Sequence, residues 1–173
     1  MVRIKKILSS KDGNIFIYFI MVIMVFIAIS GLVMDFSNIY IKSNKVKQAV
    51  NRSAKASTIE ILEGEDLANG VFYIDEGRAN DTFNTILAHN LGLDDVTLEP
   101  LEKSILEEKP NILEFEAVNT TPTTYYSPTL ERNFEIENPS IVAVIEFKIR
   151  GVFIKKTLRI SKLSASQLTS IYD

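Results

Sequence analysis

Apolar side chains are distributed so unevenly along this chain that it reads as two materials. Residues 15–34 run IFIYFIMVIMVFIAISGLVM, twenty consecutive positions without a formal charge. At about 1.5 Å of rise per residue such a helix is roughly 30 Å long, the thickness of the hydrocarbon core of a bilayer. A helix also satisfies its own backbone polar groups there. The run lacks the polar face that a buried soluble helix of this length would carry, so it predicts a membrane-spanning helix. Helical patterning continues past Met34. Residues 35–62 contain no proline or glycine and place Ile39, Val46, Ala49 or Val50, and Ser53 or Ala54 at spacings of three, four and seven. One helix is therefore expected to leave the membrane and continue as an amphipathic extension, stopping at Gly64. The alternative is two helices with a kink near Asp35.

Beyond residue 62 the pattern changes to that of a small mixed domain. Ala79, Phe83, Ile86, Leu87 and Leu91 recur at helical spacing and predict a second helix over residues 75–91, ended by Gly92. Strands are predicted over residues 96–101 and 112–118, separated from the end of the chain by a polar loop, NTTPTTYYSP, over 119–128. The clearest strand is SIVAVIEFKIR at residues 140–150; a break at Gly151 and a further strand over 152–163 complete a hairpin. The fold class is α+β. A basic segment (1–14), a membrane helix (15–34), an amphipathic extension (35–62) and an α+β domain (63–173) follow one another, the last predicted to end in a C-terminal antiparallel hairpin.

Charge sharpens this division. Arg3, Lys5, Lys6 and Lys11 precede the apolar run and favour a cytoplasmic N-terminus with the bulk of the chain outside the cytoplasm, although Lys42, Lys45, Lys47, Arg52 and Lys55 follow it. Between Ala56 and Glu146 nineteen residues are acidic and four basic, whereas Phe147 to Tyr172 holds six basic residues and no acidic one. Lys148, Arg150, Lys155, Lys156, Arg159 and Lys162 thus form a candidate assembly strip for an acidic neighbour. They also fit an outward sheet face that meets acidic groups of the same chain and discourages edge pairing, or a surface for anionic lipid headgroups.

The formal net charge of −3 argues against nucleic acid as a partner. With no cysteine and one histidine, His89, neither a thiolate nor a histidine-based centre is expected, and no metal or cofactor. The carboxylate pairs Asp75-Glu76, Asp94-Asp95 and Glu107-Glu108 read as solvated faces. The chain is not expected to be an enzyme. Within the apolar run Ala28 and Gly31 offer a small patch for another helix, and Asp35 marks its end, either solvated or paired with a neighbour's lysine. Ala28-Ile29-Ser30 also has the small-x-small form of a signal-peptidase site, so a secreted domain cut after Ser30 is one alternative.

Residues 11–58 resemble the N-terminal segment of TadE-like and TadG-like proteins of the tight-adherence (Flp) pilus machinery. The resemblance rests on Lys11-Asp12-Gly13-Asn14 ahead of the run, on Gly31-Leu32-Val33-Met34-Asp35-Phe36 at its end, and on Tyr40 followed by the alanine-rich stretch from Asn44 to Ala56. It implies a membrane-anchored pilus-assembly or minor pilin-like component, with the bilayer, other pilus or secretion-system membrane proteins and further copies of itself as partners. It also marks Gly13 as a processing position. Members trimmed after that glycine carry a glutamate five positions into the mature chain; here that position is Tyr18, which shifts the implied role toward an anchored accessory protein. An extracytoplasmic single-pass sensor or binding protein is the rival from another class.

Overall fold

The computed structural model describes residues 11–62, 72–151 and 157–167. The two predicted helical segments are a single α-helix, α1 (Lys11–Ser57), 47 residues long and uninterrupted at Asp35. From Ile15 to Ser30 every residue of α1 is exposed, and among the described residues this is the one helix long and apolar enough to cross a membrane. From Asp35 onward one stripe of the same helix is buried: Asp35, Ser43, Val46, Ala49, Val50, Ser53, Ala54 and Ser57. Small side chains dominate it, which lets other elements approach the helix backbone closely. The two buried serines near its end are satisfied within the helix, since Ser53 Oγ donates to Ala49 O at 2.9 Å and Ser57 Oγ to Ser53 O at 2.8 Å. The helix ends at Ser57, before the expected stop; Gly64 lies outside the described residues.

α2 (Glu76–Leu91) packs against this stripe. Both of its ends are written in the local sequence. Asp75 is the N-cap, accepting from Arg78 N, and Gly92 closes the helix in the left-handed conformation at φ 70°. Ala79, Phe83, Leu87, Ala88 and Leu91 form its buried face. Between the two helices, residues 60–62 pair back with 73–75: Leu62 N donates to Tyr73 O at 2.8 Å and Asp75 N to Glu60 O at 2.7 Å.

The sheet has strand order β1-β4-β5, all antiparallel, with β1 (Asn111–Val118), β4 (Ser140–Arg150) and β5 (Thr157–Gln167). A separate hairpin, β2 (Thr123–Ser127) and β3 (Arg132–Ile136), is inserted between β1 and β4. Central β4 is buried on both faces. Ile141, Ala143, Ile145, Phe147 and Ile149 join the core shared with the helices, where Phe83 meets Phe115 with ring centroids 5.1 Å apart. On the other face Val142 packs with Val118, Ile136 and Tyr125 under the β2-β3 hairpin. This two-sided burial explains why β4 reads as an apolar run without alternation.

Two sequence expectations are corrected. Residues 96–101 form no strand: Asp94 Oδ1 accepts from Val96 N at 3.1 Å, from Thr97 N at 2.7 Å and from Thr97 Oγ1 at 2.8 Å, folding the segment into a turn. Val96 is 91% exposed at its tip. The polar stretch 119–128 is not all loop, since β2 lies within it, and β3 was not anticipated at all. Of the expected last strand, residues 152–156 lie outside the described residues, while β5 extends past 163 to Gln167.

Gly92 gives a direct test of the helix end. A Cβ there would stand 3.2 Å from Ser104 Cα and 3.3 Å from Lys103 O, in a backbone conformation L-residues avoid. Gly92→Ala is expected to lower stability by about 1–2 kcal/mol, from the left-handed penalty alone. The check is a urea or thermal unfolding curve in detergent, and an unchanged midpoint would contradict the cap.

Candidate functional site

The sequence-predicted positions converge on α1 near the end of its apolar run. Ala28, Gly31 and Asp35 are three and four residues apart, so they lie on one stripe of the helix. That stripe continues as Ile39, Ser43, Val46 and Val50, the face on which the domain packs. The structure separates the three residues by what covers them. Ala28 is exposed, Gly31 is half-buried, and an open groove lined by Ile23, Phe26, Ile27, Ser30, Gly31 and Met34 runs along the helix at this point.

Asp35 is 3% exposed, which corrects the reading of it as a solvated residue at the helix exit. Its own sheet covers it. A Cβ built on Gly151, just past the end of β4, would lie 3.0 Å from Asp35 Oδ2 and 3.2 Å from Asp35 Cγ. Glycine is what lets the backbone come this close. The carboxyl is not left without a polar partner in this position. β4 therefore runs toward the apolar half of α1 and ends level with Asp35.

Register divides the candidate basic strip. Ile149, Phe147 and Ile145 point into the helix-facing core, so Lys148 and Arg150 belong to the opposite face of β4. In backbone register Arg159 is paired with Lys148 and Lys162 with Ile145. Lys155 and Lys156 lie outside the described residues, as does the side-chain placement of Arg159 and Lys162. Lys148 Nζ is 2.6 Å from Glu108 Oε2, a partly exposed pair within the chain. Gly13 lies in the first turns of α1. His89 is an exposed residue in the last turn of α2, and among the described residues no group of His, Cys, Asp or Glu is arranged to hold a metal.

A polar cluster that sequence reasoning missed ties the β2-β3 hairpin to the sheet. Glu114 on β1 accepts from Ser127 Oγ at 2.8 Å, from Thr129 N at 2.6 Å and from Tyr125 Oη at 3.3 Å. Burial pushes the Glu114 carboxyl up, but the hydrogen bonds from Thr129, Ser127 and Tyr125 outweigh it and hold the group below its ordinary value. Burial first, then the negative charges of Glu116 and Glu114, push the Tyr125 phenol well above the ordinary tyrosine range. The cluster holds structure; its members sit on β1, on β2 and in the turn after β2, and no sequence spacing advertises them. Nearby, Asn119 is committed to the fold, its amide pairing with both backbone groups of Ile74 at 2.7 and 3.0 Å.

No known protein family, characterised protein or solved structure matches the chain when it is compared with them.

Two outcomes follow from these contacts. Because the folded Glu114 carboxyl lies below its ordinary value of 4.5, its contribution to stability is complete above that value and is lost as pH falls through the folded one. An acid titration followed by tyrosine fluorescence should show this loss in the wild type and not in Glu114→Gln; superimposable curves would rule the clasp out. At the helix–sheet contact, Gly151→Ala should cost about 1–3 kcal/mol by overpacking. In an Asp35→Ala background the same change should cost markedly less, so a double-mutant cycle that comes out additive would disprove the contact.

Proposed function

We propose that this chain is a single-pass membrane protein with its N-terminus in the cytoplasm and its α+β domain outside, acting by assembly with other proteins as an accessory or minor pilin-like component of a tight-adherence (Flp) type system. The observation that carries this reading is the shared helix. One continuous rod, α1, carries an uncharged, uncovered apolar run from Ile15 to Ser30 and is the packing spine of a folded domain from Asp35 onward. A domain built directly on its anchor cannot swivel independently of it, so the position and tilt of the membrane helix set those of the domain. Such coupling suits a component whose task is to hold a fixed place among neighbours. The flanks of the apolar run, from Gly13 to Asp35-Phe36 and Tyr40, support the tight-adherence branch of this reading through their resemblance to TadE-like and TadG-like segments.

The uncovered side of the rod is where partners would meet it. Ala28 and Gly31 continue the domain-packing stripe into the apolar half, and small residues of this kind let a second membrane helix approach closely. Lys148 and Arg150 supply basic groups on the outer face of the sheet, opposite in sign to the acidic middle of the domain.

The chain has no cysteine, so single cysteines report unambiguously. In the native membrane the protein should resist alkaline carbonate extraction, and Val96→Cys, at the exposed turn, should react with a membrane-impermeant maleimide applied to intact cells. Ala28→Cys should form a disulfide-linked adduct with another copy or with a partner carrying a matching cysteine. Carbonate release, or labelling of position 96 only after lysis, would overturn the topology. Absence of any adduct from cysteines placed right round the helix between positions 23 and 34 would overturn assembly through this segment.

A further inference from the structure

We infer that the α+β domain is seated directly on the lipid surface, with the sheet end at Arg150 and Gly151 lying in the headgroup layer. The inference rests on the reading of residues 15–34 as the membrane anchor and adds to it a surface and its occupant, the headgroup region of the bilayer.

The argument is one of depth. The apolar run ends at Met34 and Asp35 follows it immediately. Gly151 approaches the Asp35 carboxyl at 3.0 Å for an added Cβ, so the end of β4 stands at the level of the first residue beyond the run. If twenty residues fill the hydrocarbon, the headgroup layer above them is about 5–7 Å deep, which is roughly four residues of helix. Positions level with residues 35–39 are therefore inside it. Gly151 and Arg150 meet that condition, and Lys148, two residues back along β4, stands at its outer margin at about 3.4 Å of rise per residue. There is no stalk between bilayer and domain, because the first residue out of the apolar run is already covered by the sheet.

The far side of α1 agrees with this level. Phe36, Tyr40 and Ile41 face away from the domain and are 68%, 69% and 53% exposed. Apolar exposure on this face thus continues seven residues beyond Met34 and then stops, giving way to exposed Lys45, Lys47 and Gln48. By the same scale Phe36 stands within the headgroup layer and Tyr40 just above it, aromatic rings of the kind that gather at membrane interfaces. A sheet end over a buried aspartate on one side of the helix and exposed Phe36 on the other thus stand in the same layer. Arg150, exposed on the outer face of β4 at this depth, is placed to meet lipid phosphate.

The test uses the full-length protein in vesicles of phosphatidylcholine and phosphatidylglycerol. Three single-cysteine variants carry the same environment-sensitive fluorophore: Tyr18→Cys in the apolar run, Arg150→Cys at the sheet end, and Asn138→Cys beside the opposite end of β4. Quenchers are lipids spin-labelled either on the headgroup or deep in the acyl chain. The expected result is strong quenching of position 18 by the acyl label, strong quenching of position 150 by the headgroup label, and none at position 138. Quenching at 18 with position 150 no better quenched than 138 would leave the anchor intact and overturn the seating. Loss of quenching at 18 would overturn the anchor and the seating with it.

Discussion

An α-helix satisfies its own backbone, so the physical problem posed by a rod of 47 residues is where its side chains go. Here the solution differs between its halves. The first presents apolar groups on every side and requires an apolar medium all round. The second presents a narrow stripe of Val, Ala and Ser to one protein layer and charged residues to water. Everything else in the domain is placed relative to that stripe. α2 and the β4-β5 pair both pack on it, and the small side chains at 49, 53, 54 and 57 set how near they come.

Polar groups on this stripe are tolerated because each is satisfied locally or by design of the fold. Ser53 and Ser57 return their hydroxyls to carbonyls one turn back. Asp35, which could not be buried in isolation without severe cost, is not without a partner, and Gly151 leaves room for its carboxyl beneath the end of β4. The hairpin β2-β3 depends on the same logic at a distance. It contributes only Ile136 and half-buried Tyr125 to a minor apolar cluster, too little to fix its position by burial alone, and the Glu114 carboxylate adds the directional contacts that do.

Elements whose signals are local were legible in the sequence. α2 declares both ends, through the Asp75 cap and the Gly92 stop, and β4 declares itself as an apolar run bounded by Pro139 and Gly151. Residues 96–101 misled because Val96, Leu98 and Pro100 alternate with polar residues as a strand would, while the decisive feature was the Asp94 carboxylate, which captured three donors of the following turn. β2 and β3 could not be read because TTYYS and RNFEI are mostly polar and acquire their conformation from each other and from Glu114. At the candidate site, the stripe of Ala28, Gly31 and Asp35 was visible from spacing. Burial of Asp35 was not, since it depends on a glycine far along the chain whose sequence role read only as a hairpin break.

The continuity of α1 also constrains how the two halves can respond to each other. A helix broken at Asp35 would let the domain reorient freely relative to the apolar run. In the unbroken helix, tilting the lower half must tilt the sheet, and the contact between Asp35 and Gly151 lies at the level where the uncovered apolar run gives way to the packed domain. Disruption of that contact would therefore be felt on both sides of the boundary: the carboxyl would lose its cover, and the sheet end its reference to the helix. The buried aspartate is in this sense the joint of the molecule, and its chemistry matters less for any reaction than for fixing the angle at which an apolar rod enters a folded domain.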